Sequence, residues 1–271
     1  MDWLTADRYL SAMESETALL AAAVTGRDPG ERVPTCPEWT MRDLVSHVGT
    51  GHRLSAGVIE REATAPPAYE LVAAPEAAAE WPGWLTAGAA GLIAAVREHG
   101  FGAHVWTWVP RYPTAGFWVR RMLHDLIIHR FDATSARVPA VHVGGELDDD
   151  LAVDGVAAVH VGGDLDDDLA VDGVADILLC FATISGRGPG SPMAGLRGAG
   201  ETLRFGAGDR SWHVTLTPDG VTWRDGAGPA DVVYQAASAL DLLLVLNRRR
   251  EPGPSAGDRE LLGRWLENSK F

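Results

Sequence analysis

The chain has 271 residues, a hydrophobic content of 46% and a mean hydropathy near zero, which is typical of a globular protein long enough for two modest domains. Its net charge of −14 disfavours nucleic acid or an anionic membrane as a partner, and no apolar run approaches the ~20 residues of a membrane span. The two cysteines form no paired motif, and the first residues are acidic where a signal peptide would be basic, so we expect a cytoplasmic protein.

Hydrophobic spacing predicts four helices in the first half of the chain, over residues 2–25, from Thr40 onward, over 76–98 and over 114–136. Thr40 and Asp43 have the spacing of a capping box at the start of the second helix, and Pro82 is expected to disturb the start of the third. The segment 26–37 reads as a turn. Four helices joined by loops suggest an antiparallel bundle, and the interiors of such bundles hold metal sites.

A tandem duplication follows the fourth helix. Residues 141–158 and 159–176 differ only at Glu146/Asp164 and Ala158/Asp176. The aspartate runs in both copies lack the alternating oxygen ligands and the terminal glutamate of an EF-hand calcium loop. We therefore interpret this segment as a duplicated acidic linker at the surface.

The remainder of the chain reads as a small α+β unit. It is predicted to contain a helix over 177–185, a glycine- and proline-rich loop over 186–200, strands near 202–205, 212–217, 221–223 and 231–235, and helices over 236–249 and 258–267. The predicted fold is thus α+β with two domains, a four-helix bundle and a smaller C-terminal α+β domain. The predicted boundaries are a bundle at 1–140, the linker at 141–176, and the C-terminal part at 177–271.

The fourth predicted helix carries the residues most indicative of function. Asp125 and His129 are four residues apart, so on a helix they lie on one face and could grip one metal ion. Asp132 lies one turn further along, where it could accept a hydrogen bond from the second imidazole nitrogen. His124 and His129 are five apart, roughly 140° around a helix, and cannot share a small cation. The face predicted to point inward consists of Trp118, Met122, Asp125, His129, Asp132 and Ala136.

A catalytic metal usually has three protein ligands and one open position. His47 is the best third candidate, because it lies on the inner face of a neighbouring predicted helix. Two structural alternatives are open: His47 could be a hydrogen-bonded core histidine, and Asp125 could pair with Arg120 or Arg121.

Other polar and aromatic residues have less specific signals. The tryptophans Trp39, Trp106 and Trp108 are expected to pack near the mouth of the bundle, or to line a substrate pocket. Cys36 is a poor nucleophile candidate because no base is adjacent. The arginines at 248–250 could complement a helix dipole, or one of them could bind a substrate carboxylate.

Two segments resemble the mycothiol-dependent maleylpyruvate isomerase family, whose N-terminal half is a DinB-like helical bundle. They are residues 33–47 (VPTCPEWTMRDLVSH) and 117–132 (FWVRRMLHDLIIHRFD). The pattern from Glu201 to Asp258 also resembles that family's second domain, which is similar to sterol carrier proteins. The resemblance extends over nearly the full chain apart from the extra repeat.

This resemblance implies a divalent metal, usually zinc, bound by His47, Asp125 and His129, with mycothiol as the thiol cofactor. Aspartate stands at 125 where the family usually has the longer glutamate. The C-terminal arginine implied to contact substrate is Arg248 or Arg249. We take these two arginines and Asp132 as candidate catalytic residues.

A metal with three protein ligands and a vacant position can bind a thiol and hold it as a thiolate at neutral pH. The expected function is therefore S-transfer to, or cis–trans isomerisation of, a small electrophilic substrate, with Trp39 as the candidate cofactor-binding residue and Asp132 orienting His129. The expected assembly is a monomer or a small homo-oligomer. Metal-dependent hydrolysis and a non-catalytic binding or regulatory bundle are the alternatives.

Overall fold

The computed structural model describes residues 3–136 and 165–269. Within these residues it has an α+β fold with seven α-helices and two sheets, which confirms the predicted fold class. The helices are α1 (Ala6–Val24), α2 (Met41–Glu60), α3 (Trp81–His99), α4 (Ala115–Ser135), α5 (Asp167–Ser185), α6 (Ala239–Leu246) and α7 (Arg259–Asn268). No helix in the described part of the chain is long and apolar enough to cross a membrane.

The first four helices form the predicted bundle. Both α1 and α2 pack against α3 and α4, so that α1 and α2 are diagonal neighbours. The α2 helix begins with the predicted capping box, in which Thr40 and Asp43 satisfy each other's backbone N–H groups. The α3 helix starts at Trp81, later than predicted, because Pro82 is tolerated only in the first turn, where its missing N–H would have no partner.

The connection between α1 and α2 contains a short antiparallel hairpin where we predicted only a turn. Its strands are β1 (Arg32–Val33) and β2 (Cys36–Thr40). The β1 strand has only two residues, and the five residues of β2 include Pro37 and do not alternate between buried and exposed, so no strand pattern identifies the hairpin. The hairpin brings Thr35, Cys36 and Trp39 beside α4.

The C-terminal half contains a five-stranded sheet of order β5–β4–β3–β6–β7, in which β3 and β6 are parallel and the other pairs antiparallel. The strands are β3 (Thr202–Ala207), β4 (Arg210–Thr217), β5 (Gly220–Asp225), β6 (Val232–Ala236) and β7 (Ser255–Gly257). Alternate residues of β4 are buried, and α5 packs against β5 and α6. The predicted helix over 236–249 is shorter in the structure, because residue 236 ends β6 and Ser238 caps α6.

We predicted a surface linker over both copies of the duplication. The described part of the second copy contradicts this prediction, because most of it is helical and buried. The α5 helix begins at Asp167, and its residues from Leu169 to Ile177 are buried. Two carboxylates of this copy, Asp172 and Asp176, lie in the protein interior because they pair with arginines of α4. The first copy and the predicted boundary at 140 lie outside the described residues, so the division into domains stays a prediction.

Candidate metal centre

Three side chains that can ligate a metal meet between two helices of the bundle. His47 lies in the second turn of α2, and Asp125 and His129 lie one turn apart on α4, which packs against α2. Asp125 Oδ2 is 3.2 Å from His47 Nε2 and 3.7 Å from His129 Nε2. One ligand atom from each residue lies within 4.8 Å of the other two. We refer to these three residues as the triad.

The triad is open to solvent on one side. The side chains of His47 and Asp125 are 38% and 24% exposed, whereas His129 is buried. Burial alone would raise the pKa of Asp125, but the adjacent imidazoles of His47 and His129 outweigh it and hold that pKa well below its usual range. Burial also disfavours the charged form of His47, but the negative charge of Asp125 and its hydrogen bond have the larger effect and raise the pKa of His47.

The two oxygens of Asp125 have different partners. Oδ2 faces the imidazoles, and Oδ1 accepts a hydrogen bond from Arg121 Nη2 at 3.1 Å. Arg121 also contacts Asp176 of α5, so its guanidinium is held from two sides. The ion pair that we considered as an alternative to metal ligation is therefore present, but it uses the other oxygen and leaves Oδ2 directed into the triad.

The buried carboxylate of Asp132 fixes the orientation of His129. Asp132 Oδ2 lies 2.9 Å from His129 Nδ1, which leaves Nε2 facing the triad. Arg249 donates from Nε and Nη2 to the two oxygens of Asp132, each at 2.8 Å, and the Thr35 hydroxyl donates to Oδ1 at 2.6 Å. Burial opposes ionisation of Asp132, but the hydrogen bonds from His129 and Arg249 outweigh it and lower its pKa far below the usual range.

The β2 strand places Trp39 next to the triad and Cys36 next to Asp132 and Arg249. The Trp39 ring is 4.9 Å from the His47 ring and 5.4 Å from the His129 ring, centre to centre. Cys36 Sγ is 3.1 Å from Arg249 Nη2. Burial, together with the negative charge of Asp132, raises the pKa of the Cys36 thiol to about 11. Cys36 is therefore a neutral thiol at physiological pH, which disfavours it as a nucleophile.

The remaining candidate residues lie outside the triad. His124 faces away from it, as predicted, with Nε2 2.7 Å from Asp172 Oδ2. His52 is buried, and burial lowers its pKa to about 4. Arg248 is exposed with a left-handed φ of 63°. Both Arg248 and Arg249 follow α6 rather than ending it, because the helix stops at Leu246.

Comparison with known proteins identifies the N-terminal half. Residues 10–134 match the family described as the mycothiol maleylpyruvate isomerase N-terminal domain, and this range contains the complete triad and nearly all of the four-helix bundle. Residues 10–134 belong to this family. No curated protein and no solved structure matches the chain. The match ends before α5, so the predicted resemblance of the C-terminal domain to the family's second domain stays a prediction.

The donor set of this mycothiol maleylpyruvate isomerase domain fits a divalent ion of the zinc class. Zinc binds imidazole nitrogen and carboxylate oxygen at about 2.0–2.2 Å in a tetrahedron, which places neighbouring ligand atoms roughly 3.4 Å apart. The separations of 3.2 Å and 3.7 Å at Asp125 Oδ2 lie on either side of that value, and the third separation, between the two imidazole nitrogens, is within 4.8 Å. The hydrogen bond to Asp132 is the outer support that a metal-ligating histidine usually has.

An apolar cavity of about 290 Å³ opens beside the triad, with His47 and Asp125 in its wall. Trp118 and Met122, which precede Asp125 on the predicted inward face of α4, also line it, and so does Trp106. Trp108 instead packs against Phe117. The accessible side of the triad therefore faces a pocket of ligand size.

Sequence reasoning did not identify several residues that support the triad. The sequence indicates Arg121 only as an alternative partner of Asp125, and no local pattern indicates Thr35 or Asp176 as supports. Asp176 distinguishes the second copy of the duplication from the first, which has alanine at the equivalent position 158. That difference, together with the apolar spacing that continues through α5, was a signal that the second copy is part of the folded core.

Asp132→Asn is expected to weaken zinc binding by about 10- to 100-fold, since loss of the outer partner of a histidine ligand has effects of this size. The substitution removes the charge that Arg249 and His129 share. Competition with a chromophoric chelator measures the zinc affinity. Asp219→Asn, in an exposed hairpin turn, is the matched control and should retain the wild-type affinity. An Asp132→Asn affinity equal to that of the control would contradict the positioning role.

Proposed function

We propose that this protein is a divalent-metal-dependent enzyme that uses a low-molecular-weight thiol, mycothiol being the expected one, for S-transfer to or cis–trans isomerisation of a small electrophile. The observation that carries the proposal is the triad of His47, Asp125 and His129 inside a domain of the mycothiol maleylpyruvate isomerase family. Zinc is the expected ion. When bound, such an ion would lower the pKa of a coordinated thiol and so favour the thiolate at neutral pH.

The protein's own side chains prepare the site for this chemistry. Asp132 holds His129 with Nε2 directed at the other two ligand atoms, and Arg121 holds Asp125 with Oδ2 directed at them. Arg249 reaches from the C-terminal half to stabilise the charge of Asp132. We propose that Arg249 acts as a positioning residue, because its Nε and Nη2 groups donate to Asp132 and its Nη1 to the Asn247 carbonyl.

The described cysteines favour an external thiol. Burial raises the pKa of Cys180 to about 12 and that of Cys36, with the help of Asp132, to about 11. Neither sulfur is among the ligand atoms that meet at the triad, so a thiolate there would come from a small molecule. Both cysteines are free, which agrees with the reducing, cytoplasmic environment where such thiols are kept.

Metal analysis followed by an activity assay tests the proposal. Purified protein is expected to contain about one zinc per chain and to conjugate mycothiol with monochlorobimane, and His47→Ala should lose both properties. The wild-type protein is also assayed with ester and amide substrates. Stoichiometric metal with hydrolysis and no thiol turnover would favour a hydrolase. A protein that binds no metal would favour a binding or regulatory bundle.

A further inference from the structure

The cavity beside the triad is lined mainly by apolar side chains. They are Leu54, Pro67, Tyr69, Trp106, Trp118 and Met122. The indole N–H of Trp118 donates to the Trp106 carbonyl at 2.8 Å, so the ring offers only its apolar surface. The described residues that line the cavity include no arginine or lysine. A carboxylate held against these apolar side chains, away from the triad, would lose hydration without gaining an opposite charge, which is unfavourable.

One polar group in this wall lacks an intramolecular partner. Ser55 is fully buried, and its hydroxyl has no hydrogen-bond partner among the described residues. This hydroxyl has essentially no surface that a water-sized probe can reach, so a ligand in the cavity does not contact it. Away from the triad, the inner wall of the cavity on α2 is therefore effectively apolar.

The cavity has a preformed outer wall. The loop that contributes Pro67 and Tyr69 is fixed to α2, because the Val72 amide and carbonyl both bond to Thr50 Oγ1, at 3.0 Å and 3.2 Å. The Ala74 amide also donates to Ser46 Oγ at 2.9 Å. The volume of about 290 Å³ is roughly twice that of the ~150 Å³ apolar cavity known to hold benzene, so the space suits a fused bicyclic ring.

We propose that this cavity binds the electrophilic substrate, and that the substrate is an uncharged, largely apolar molecule of bicyclic size. This inference rests on the proposed function, and it makes the preferred substrate different from maleylpyruvate, which is a dicarboxylate. Arg249 does not compensate for the missing cationic group, because it is absent from the cavity lining and its guanidinium donates to Asp132 and Asn247.

Calorimetric titration of the zinc-loaded full chain tests the inference without turnover. The probes are 2-naphthalenemethanol, which is uncharged, and 2,6-naphthalenedicarboxylate, which has the same ring system and two charges. The uncharged probe is expected to bind at least about tenfold more tightly, because the dicarboxylate must bury an unpaired charge. Equal or tighter binding of the dicarboxylate would overturn the proposal.

Two variants locate the binding. Leu54→Arg places a cation in the wall and should reverse the preference, whereas Leu19→Arg, at an exposed position of α1, should leave it unchanged. Retention of the wild-type preference in Leu54→Arg would show that the probes bind elsewhere and would overturn the proposal.

A thiol-conjugation assay separates this inference from the proposed function. Tight binding of the uncharged probe without thiol turnover would support the cavity specificity and count against the thiol chemistry. Turnover that is faster with a maleyl dicarboxylate than with an uncharged aryl electrophile would support the thiol chemistry and overturn the cavity specificity.

Discussion

His129→Ala is expected to abolish stoichiometric zinc binding while the apo protein stays folded. The loss of zinc affinity should exceed the roughly 10- to 100-fold effect of removing an outer partner such as Asp132, because His129 is a direct ligand. The fold should persist because Asp132, the partner of His129 Nδ1, keeps its hydrogen bonds from Arg249 and Thr35. No buried charge is left unpaired by the substitution.

Zinc content and the zinc-dependent change in unfolding free energy measure this effect. Zinc at 100 times its dissociation constant should stabilise the wild-type protein by about 2.7 kcal/mol, and the same concentration should leave His129→Ala unchanged. His104→Ala, at an exposed position outside the triad, is the matched control and should behave as wild type. Wild-type zinc stabilisation in His129→Ala would show that the metal binds elsewhere.

Arg120→Met is expected to lower the free energy of unfolding by about 3–5 kcal/mol at pH 7, the cost of removing one partner from a buried ion pair. The guanidinium is 2% exposed, with Nε 2.9 Å from Asp172 Oδ2 and Nη1 2.8 Å from Asp176 Oδ1. Methionine preserves most of the volume but leaves both carboxylates without this cation. Urea denaturation measures the change. Arg97→Met removes an exposed ion pair with Glu14 and should cost only about 0–1 kcal/mol.

The effect of Arg120→Met should depend on pH in a defined direction. Burial opposes ionisation of Asp172, but the hydrogen bond from His124 and the charge of Arg120 hold its pKa well below the usual range. A carboxyl with a depressed folded-state pKa contributes stability above its unfolded pKa of about 3.9, and this contribution is lost as pH falls towards the folded value. The difference between Arg120→Met and wild type should therefore shrink below roughly pH 4. A difference that grows on acidification would contradict this account of the cluster.

Local periodicity was sufficient for one half of the candidate site. Asp125, His129 and Asp132 lie on one helix, so their common face follows from 3.6 residues per turn. In the structure, Asp132 is hydrogen-bonded to His129 Nδ1, as predicted. The Thr40 capping box is likewise a local signal that predicted the start of α2. The prediction of His47 as the third ligand required a further assumption, namely that α2 packs against α4.

Long-range contacts account for what the sequence did not reveal. Arg249 lies 117 residues from Asp132, and no local pattern indicates that pairing. Asp172 and Asp176 lie in an aspartate-rich duplication that is typical of a solvated segment, and only the arginines of α4 make their burial favourable. One wall of the cavity is a loop with no regular structure. Hydrogen bonds from this loop to Thr50 and Ser46 hold it against α2.

X-ray absorption at the zinc edge of the zinc-loaded chain tests the central claim most directly. We predict a first shell with two imidazole nitrogens at about 2.0–2.1 Å and oxygen at about 2.0–2.2 Å, and one sulfur at about 2.3 Å appearing only when the small thiol is added. A sulfur ligand in the absence of added thiol, or a shell without two imidazoles, would contradict metal binding by His47, Asp125 and His129 with an open position for a thiol.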